Sequence, residues 1–249
     1  MAAPIVLPTR TYFHGLPGGS GEWALCAPMG LADFAPDRNA PLSAAALSAQ
    51  VQANCANGPI TLIGFSLGAT VALAVARELG ARVAHIHLAS PAAPLQLGDF
   101  LGQMAGGPLF RMAARKARLF RAVAQMEGLI ARIAPSFLFD RLFASAAGDD
   151  AALARDPVFR AGMAEVLRGG LGRDWHGFAQ EVEAYVADWR ESLSAVTAPI
   201  TIWQGEADTW TPPAMAEALA AALPGPVRLK RLPGSSHYST LRRALASLA

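Results

Sequence analysis

Cysteine is scarce: Cys26 and Cys55 are the two in 249 residues, too few for a disulfide framework and at no metal-ligand spacing. Buried reduced thiols are the expectation. Charge is scarce as well. Only 16% of residues are charged and the net charge is +2, which gives no reason to expect a nucleic-acid partner. The opening stretch, MAAPIVLPTRTYFHG, lacks the basic and long apolar regions of a signal peptide. No uncharged apolar run reaches the length of a membrane span, so a cytoplasmic chain without stable membrane insertion is expected. Internal repeats and low-complexity linkers are missing too. Apolar residues, by contrast, make up 53% of the chain, which excludes general disorder and supports a sizeable core.

Short runs rich in β-branched residues alternate with helical patterns. The expected strands are residues 5–7 or 9–13, then 31–35, 60–65, 83–88, 199–203 and 227–232. Interleaving of this kind implies a mostly parallel sheet with helices on both faces. Residues 67–79 read as a buried central helix that stops at Gly80. Residues 174–193 read as a helix capped by Asp174. Between residues 88 and 199 the chain is far longer than a parallel crossover needs. The excess reads as helices over 109–133, 137–144 and 157–167, the last capped by Asp156 with Pro157 in its first turn. A helical insertion at one loop is most simply a cap, giving a core of residues 1–96 and 174–249 and a cap of residues 97–173.

Open parallel sheets bind ligands at the carboxyl ends of their strands, and four features fall at such ends. The first is Gly64-Phe65-Ser66-Leu67-Gly68, between a strand and a helix. Glycines on either side permit a tight turn that lifts Ser66 clear of the sheet, and the helix N-terminus adds positive potential. The second is the glycine-rich stretch His14-Gly15-Leu16-Pro17-Gly18-Gly19, whose backbone N–H groups can form an anion nest. His14 itself, preceding the turn, is read as structural. The third is Gly205-Glu206-Ala207-Asp208, where Asp208, farther around the loop than its competitor Glu206, suits a carboxylate that orients an imidazole. The fourth is Gly234-Ser235-Ser236-His237, which sets His237 between the last strand and a final helix as a general base.

The order Ser66, Asp208, His237 is that of a nucleophile-elbow triad, and with these motifs the chain resembles the α/β-hydrolase superfamily in its capped branch. The resemblance implies an α/β-hydrolase fold, with Ser66 as nucleophile, His237 as base, Asp208 as orienting acid, and the backbone N–H groups of Leu16 and Leu67 as the oxyanion hole. It implies a carboxylic ester, thioester or lactone as substrate, cleaved through an acyl-serine without metal or organic cofactor. Carbon–carbon bond hydrolysis, acyl transfer and perhydrolysis use the same triad and stand as alternatives, and a non-catalytic binding module is a third. Two departures from the family pattern stand out. The short lead before His14 leaves little room for the usual antiparallel hairpin, so about six strands are expected. The stretch Ala35-Pro36-Asp37-Arg38-Asn39 lacks the family's glycine-rich continuation. Both leave dimerisation open.

Lesser candidates follow. Trp210, His176 and Phe137 are read as substrate contacts, and Phe100, Met104, Phe139 and Phe143 as further walls of an apolar chamber for a small acyl substrate. His85 and His87 share one strand face and read as packed or hydrogen-bonded rather than metal-binding. Residues 109–132 carry Arg111, Arg115, Lys116, Arg118, Arg121 and Arg132 against Glu127 alone. With the stripe Phe110, Ala113, Ala117, Phe120 and Ala124, they read as a solvated basic face over an apolar seam; an anionic substrate or lipid contact is the alternative.

Overall fold

A computed structural model describes residues 9–26, 34–36, 38, 43–55 and 58–248. In chain order these form β1 (Thr9–Phe13), α1 (Glu22–Cys26), α2 (Ala44–Asn54), β2 (Ile60–Phe65), α3 (Gly68–Leu79) and β3 (Val83–Ala89). The long interval that follows holds α4 (Gly107–Arg115), α5 (Ala117–Ile133), α6 (Pro135–Leu142), α7 (Asp150–Leu153), α8 (Pro157–Gly169) and α9 (Trp175–Val186). The chain then returns to the sheet as β4 (Ile200–Gly205), α10 (Pro213–Ala222), β5 (Val227–Leu232) and α11 (His237–Ala246).

The strands pair in the order β1-β2-β3-β4-β5, all parallel. Every residue of β2 and β4 is buried, as expected for strands covered on both faces, and this is why their sequences run apolar instead of alternating. At the edge, β5 carries Arg228, Lys230 and Arg231, charges that discourage pairing with another chain. Because all strands run the same way, Phe13, Phe65, Ala89, Gly205 and Leu232 end on one side of the sheet, and the loops that leave them converge there.

The sheet has five strands among the described residues, not about six. Of the expected strand 31–35, only Phe34 pairs, in a single parallel bridge to Thr11. Its amide donates to the Arg10 carbonyl at 3.1 Å and its carbonyl accepts from Tyr12 at 2.9 Å. Pro36, without an N–H, offers no donor to extend the ladder. Residues 31–33, and the expected strand at 5–7, lie outside the described residues.

The expected helix over 109–133 is two helices. Lys116 leaves the helical region at φ −141°, ψ 57°, and separates α4 from α5. The buried positions Phe110 and Ala113 before the break and Phe120 and Ala124 after it remain in helical phase, so the apolar pattern carries no sign of the break. Ala117, expected in that stripe, is exposed beside it, and the expected common face of Arg111, Arg115 and Arg118 is divided between the two helices. Likewise the helix expected to reach residue 193 ends at Val186, and Leu193 belongs to a 3-10 turn. The two expected caps are formed: Asp174 Oδ1 accepts from Gly177 N at 3.0 Å, and Asp156 Oδ1 from Val158 N at 2.9 Å.

The inserted helices pack on one another, α5 against α9 and α6 against α8. Among the described residues, polar contacts tie the inserted segment and α9 to the sheet domain. Tyr185 donates to the Ala93 carbonyl at 3.1 Å, buried Arg38 pairs with Glu181 at 2.7 Å, and Asp150 accepts from Tyr238 N and Ser239 N at 2.9 and 2.7 Å.

Backbone also packs closely where α3 begins. A Cβ on Gly68 would overlap the backbone carbonyls of Phe13 and His14, which cannot swing aside as a side-chain tip could. Gly68→Ala should therefore destabilise the fold by about 1–3 kcal/mol, read as a lowered urea midpoint with unchanged m-value. An unchanged midpoint would mean that α3 and the end of β1 are not in this contact.

Candidate active site

Ser66 stands between the end of β2 and the start of α3, with φ +53°. A non-glycine residue there costs about 1–2 kcal/mol, and the turn is held by its neighbours. Ser66 N donates to the Ala89 carbonyl at 3.1 Å, and the Ser66 carbonyl accepts from Ala69 N and Ala92 N at 3.1 Å each. Strain at a position so firmly held is a mark of functional sites. The side chain is 3% exposed and borders a cavity of about 190 Å³.

Asp208 and His237 come from the loops after β4 and β5 and meet in the interior. His237 Nδ1 lies 2.9 Å from Asp208 Oδ2, with the two side chains 2% and 0% exposed. The other carboxylate oxygen, Oδ1, accepts from Trp210 N at 2.8 Å and Thr211 N at 3.0 Å. Thr211 Oγ1 lies 3.1 Å from Oδ2 and 3.0 Å from the Ser90 carbonyl. Burial alone would raise the Asp208 pKa, but the positive charge and hydrogen bond of His237, with the Thr211 amide, hold it below the usual carboxylate value. For His237 burial pulls the other way, and Asp208, helped by Asp150 and Glu22, lifts it above the ordinary imidazole value. Glu206, the competing carboxylate, is exposed.

The imidazole is fixed by packing as well as by charge. His237 packs against the Phe65 ring, at 4.7 Å, and against the Trp210 ring, stacked at 5.3 Å and 17°. As the first residue of α11 it shares a helix start held by a capping box on Ser236 and Ser239 and by the Asp150 carboxylate on the next two amides.

Leu16 and Leu67 both border the cavity beside Ser66. Among the described residues neither of their amides donates to another backbone group. His14 is buried; its ring meets the Gly15 carbonyl at 2.8 Å, and its own carbonyl accepts from Arg38 at 2.9 Å. Burial, reinforced by Arg38, pushes its pKa well down, so it is a neutral structural group.

The cavity walls include Met104, Leu109, Phe110, Leu142, Phe178, Val182 and Trp210. Two expected substrate contacts fall elsewhere. Phe137 is 55% exposed, because α6 turns Leu138 and Phe139 inward instead. His176 is exposed and stacks on Trp175 at 3.6 Å. Phe139 and Phe143 stack at 4.3 Å and, with Phe159 and Tyr238, form an aromatic cluster behind Trp210. None of the six basic residues from Arg111 to Arg132 borders the cavity; Arg141 does, and Glu127 holds it at 3.0 Å. Arg121 is taken by Glu183 at 2.7 Å.

On the sheet, His85 meets Thr201 Oγ1 at 2.9 Å and His87 accepts from Trp203 Nε1 at 3.4 Å, with the two rings 4.5 Å apart. Burial, with the neighbouring His85 and Lys230, lowers the His87 pKa to about 4. Cys26 and Cys55 are both buried and unpaired. Among the described residues no helix is long and apolar enough to cross a membrane.

Sequence reasoning missed four polar residues around the site: Glu22, Ser90, Asp150 and Thr211 are all 2% exposed or less. Thr211 carried a readable signal, since an Asp-x-x-Thr step favours the side-chain-to-amide turn that Asp208 makes. Asp150 carried none, because its partners are 88 and 89 residues away.

The model of the alpha/beta hydrolase family matches residues 12–248. No curated sequence shows significant similarity to the chain. Among solved structures, a thermophilic esterase from Thermogutta terrifontis is 20% identical, over 98% of this chain and 87% of that one, with a TM-score of 0.65. The enol-lactonase from Burkholderia xenovorans LB400 is also 20% identical, over 98% and 89%, at 0.62. A bromoperoxidase from Bacillus anthracis is 16% identical, over 98% and 92%, at 0.62. At such identities these likenesses report the fold. With the family model spanning β1 to α11, the chain belongs to the alpha/beta hydrolase family of enzymes.

Proposed function

We propose that this enzyme is a serine hydrolase of a carboxylic ester, thioester or lactone, with residues 97–173 serving as a helical cap over a core formed by 1–96 and 174–249. The observation that carries the reading is the 2.9 Å contact between buried His237 and Asp208 at the same end of the sheet as Ser66. In this reading His237 takes the Ser66 proton as Oγ attacks the carbonyl, and Asp208 keeps the imidazole in the tautomer with its proton on Nδ1 and stabilises the imidazolium. The amides of Leu16 and Leu67 receive the oxyanion, where one such donor contributes about 3–4 kcal/mol. Collapse expels the alcohol or thiol, protonated by His237, and leaves acyl-Ser66, which water activated by His237 then hydrolyses. The esterase and the lactonase of similar fold are consistent with this chemistry.

The apolar walls favour an uncharged acyl group, and a cavity of about 190 Å³ favours a short to medium chain. Pre-steady-state release of p-nitrophenol from acetyl, butyryl, octanoyl and lauroyl esters tests both points. A burst equal to the enzyme concentration, with the lauroyl ester turned over more slowly than the butyryl ester, is the expected result. No burst with any ester, and no labelling of Ser66 by a fluorophosphonate, would overturn the reading. Phe110→Trp should shift the preference towards the acetyl ester, because the larger ring takes up part of the same cavity.

A further inference from the structure

We propose that Glu22 is a positioning residue: a single buried carboxylate that ties the loop carrying the Leu16 amide to the helix carrying His237. The inference rests on the triad reading above and extends it to a residue outside the triad.

Glu22 opens α1 and is 0% exposed. Its Oε2 accepts from Tyr12 Oη at 2.6 Å and from Gly15 N at 3.1 Å. Its Oε1 accepts from Tyr238 Oη at 3.3 Å. The three donors come from β1, from the loop after it, and from α11. Two of them are next in sequence to the working parts: Gly15 precedes Leu16, and Tyr238 follows His237. One side chain therefore sets the distance between the oxyanion amide and the base, two parts separated by some 220 residues of chain.

A carboxylate suits this place: burial raises the Glu22 pKa, and the Tyr12 hydroxyl, the Gly15 amide, His237 and Tyr238 hold it down. A carboxylate accepts from all three donors at once, whereas a glutamine would satisfy them only if one tyrosine hydroxyl turned round to accept its N–H₂. For folding alone, a buried charge is a poor choice, since well-packed apolar residues commonly do as well or better. Nor does Glu22 form an ion pair, whereas the buried guanidinium of Arg38 is committed to Glu181. The ionisable groups that face it are Tyr12 on β1, Cys26 on its own helix, and His237 and Tyr238 on α11, while Asp150 on α7 acts on Cys26 and Tyr238, and Arg242 on Cys26. α1 also meets α8, with Leu25 against Gly162, and Glu165 and Arg173 border the cleft beside Leu25. Burial lifts Tyr12 and Tyr238 well above the usual phenol value, so both stay protonated and donate. The nearby cation that forms during the proposed reaction is the His237 imidazolium, and Glu22 favours it.

The rate at which a fluorophosphonate labels Ser66, followed against pH, reads both effects without knowledge of the natural substrate. Labelling needs neutral His237, so its acid limb follows the His237 pKa. In Glu22→Gln the imidazolium loses a supporting charge, so the limb should move to lower pH, while the loosened loop lowers the plateau rate by about 10- to 100-fold. Glu22→Asp keeps the charge but not the reach: the limb should return towards the wild-type position while the plateau stays low. Tyr238→Phe cuts one tether and leaves the charge, so it should lower the plateau with the limb unmoved; it also serves if Glu22→Gln does not fold. Wild-type labelling with an unshifted limb in Glu22→Gln, or an unchanged plateau in Tyr238→Phe, would overturn the role of Glu22 and leave the triad reading intact. No labelling of the wild type, or labelling indifferent to His237→Ala, would overturn the triad reading and this one with it.

Discussion

On the proposed mechanism, Ser66→Ala should remove the p-nitrophenol burst and lower steady-state ester hydrolysis by about 10⁵- to 10⁶-fold. The size follows from the division of labour at the elbow. Without Oγ no acyl-enzyme forms, and the remaining rate is what the Leu16 and Leu67 amides and His237 can do for direct attack by water. The fold should survive, because the backbone bonds that hold residue 66, to Ala69, Ala89 and Ala92, involve no hydroxyl. Alanine must still adopt φ +53°, so the stability change should be small. Burst amplitude and circular dichroism on the same samples check both statements. A folded variant that keeps a burst would place the nucleophile elsewhere.

The second large effect is expected from Asp208→Asn, with kcat lower by about 10⁴-fold. Asparagine fills the same volume and can still accept from the Trp210 and Thr211 amides, so the loop should hold. What changes is the group facing Nδ1. An amide can present N–H₂ there and stabilise the tautomer whose Nε2 already carries the proton, which cannot take one from Ser66. The sign of the pH effect follows from charge. Asp208 raises the His237 pKa against the opposing effect of burial, so its neutralisation lets that pKa fall. The acid limb of kcat/KM should therefore move to lower pH as the plateau drops. A loss below tenfold would show that another group orients His237.

The fold class and the placing of Ser66, Asp208 and His237 at one end of the sheet were legible because each depends on local grammar. A nucleophile between glycines needs a strand before and a helix after it, and both patterns lie within some twenty residues of Ser66. Asp208 and His237 each follow a β-branched run at the end of which a parallel sheet exposes its loops. What failed were readings of direction and continuity. Phe137 and Phe139 are both apolar and two residues apart on one helix, yet they face opposite ways, and the side that is buried is set by α8. The break at Lys116 left the apolar spacing in phase, so periodicity joined two helices into one.

Glu22 and Asp150 mark the same boundary. Each is an ordinary acidic residue in sequence, at the first turn of a short helix, where carboxylates commonly sit in solvent. Each is sealed in the interior because a donor arrives from the far end of the chain: Tyr238 reaches Glu22 across 216 residues, and the Tyr238 amide reaches Asp150 across 88. By itself the sequence determined the strand–helix alternation, the turn at Ser66 and the placing of Asp208 and His237 after the last two strands, because these rest on contacts between near neighbours. The shape of the cavity, the aromatic packing against His237 and the buried carboxylates around it were decided only by the tertiary structure. Their energies depend on which distant groups meet and on how completely water is removed from between them.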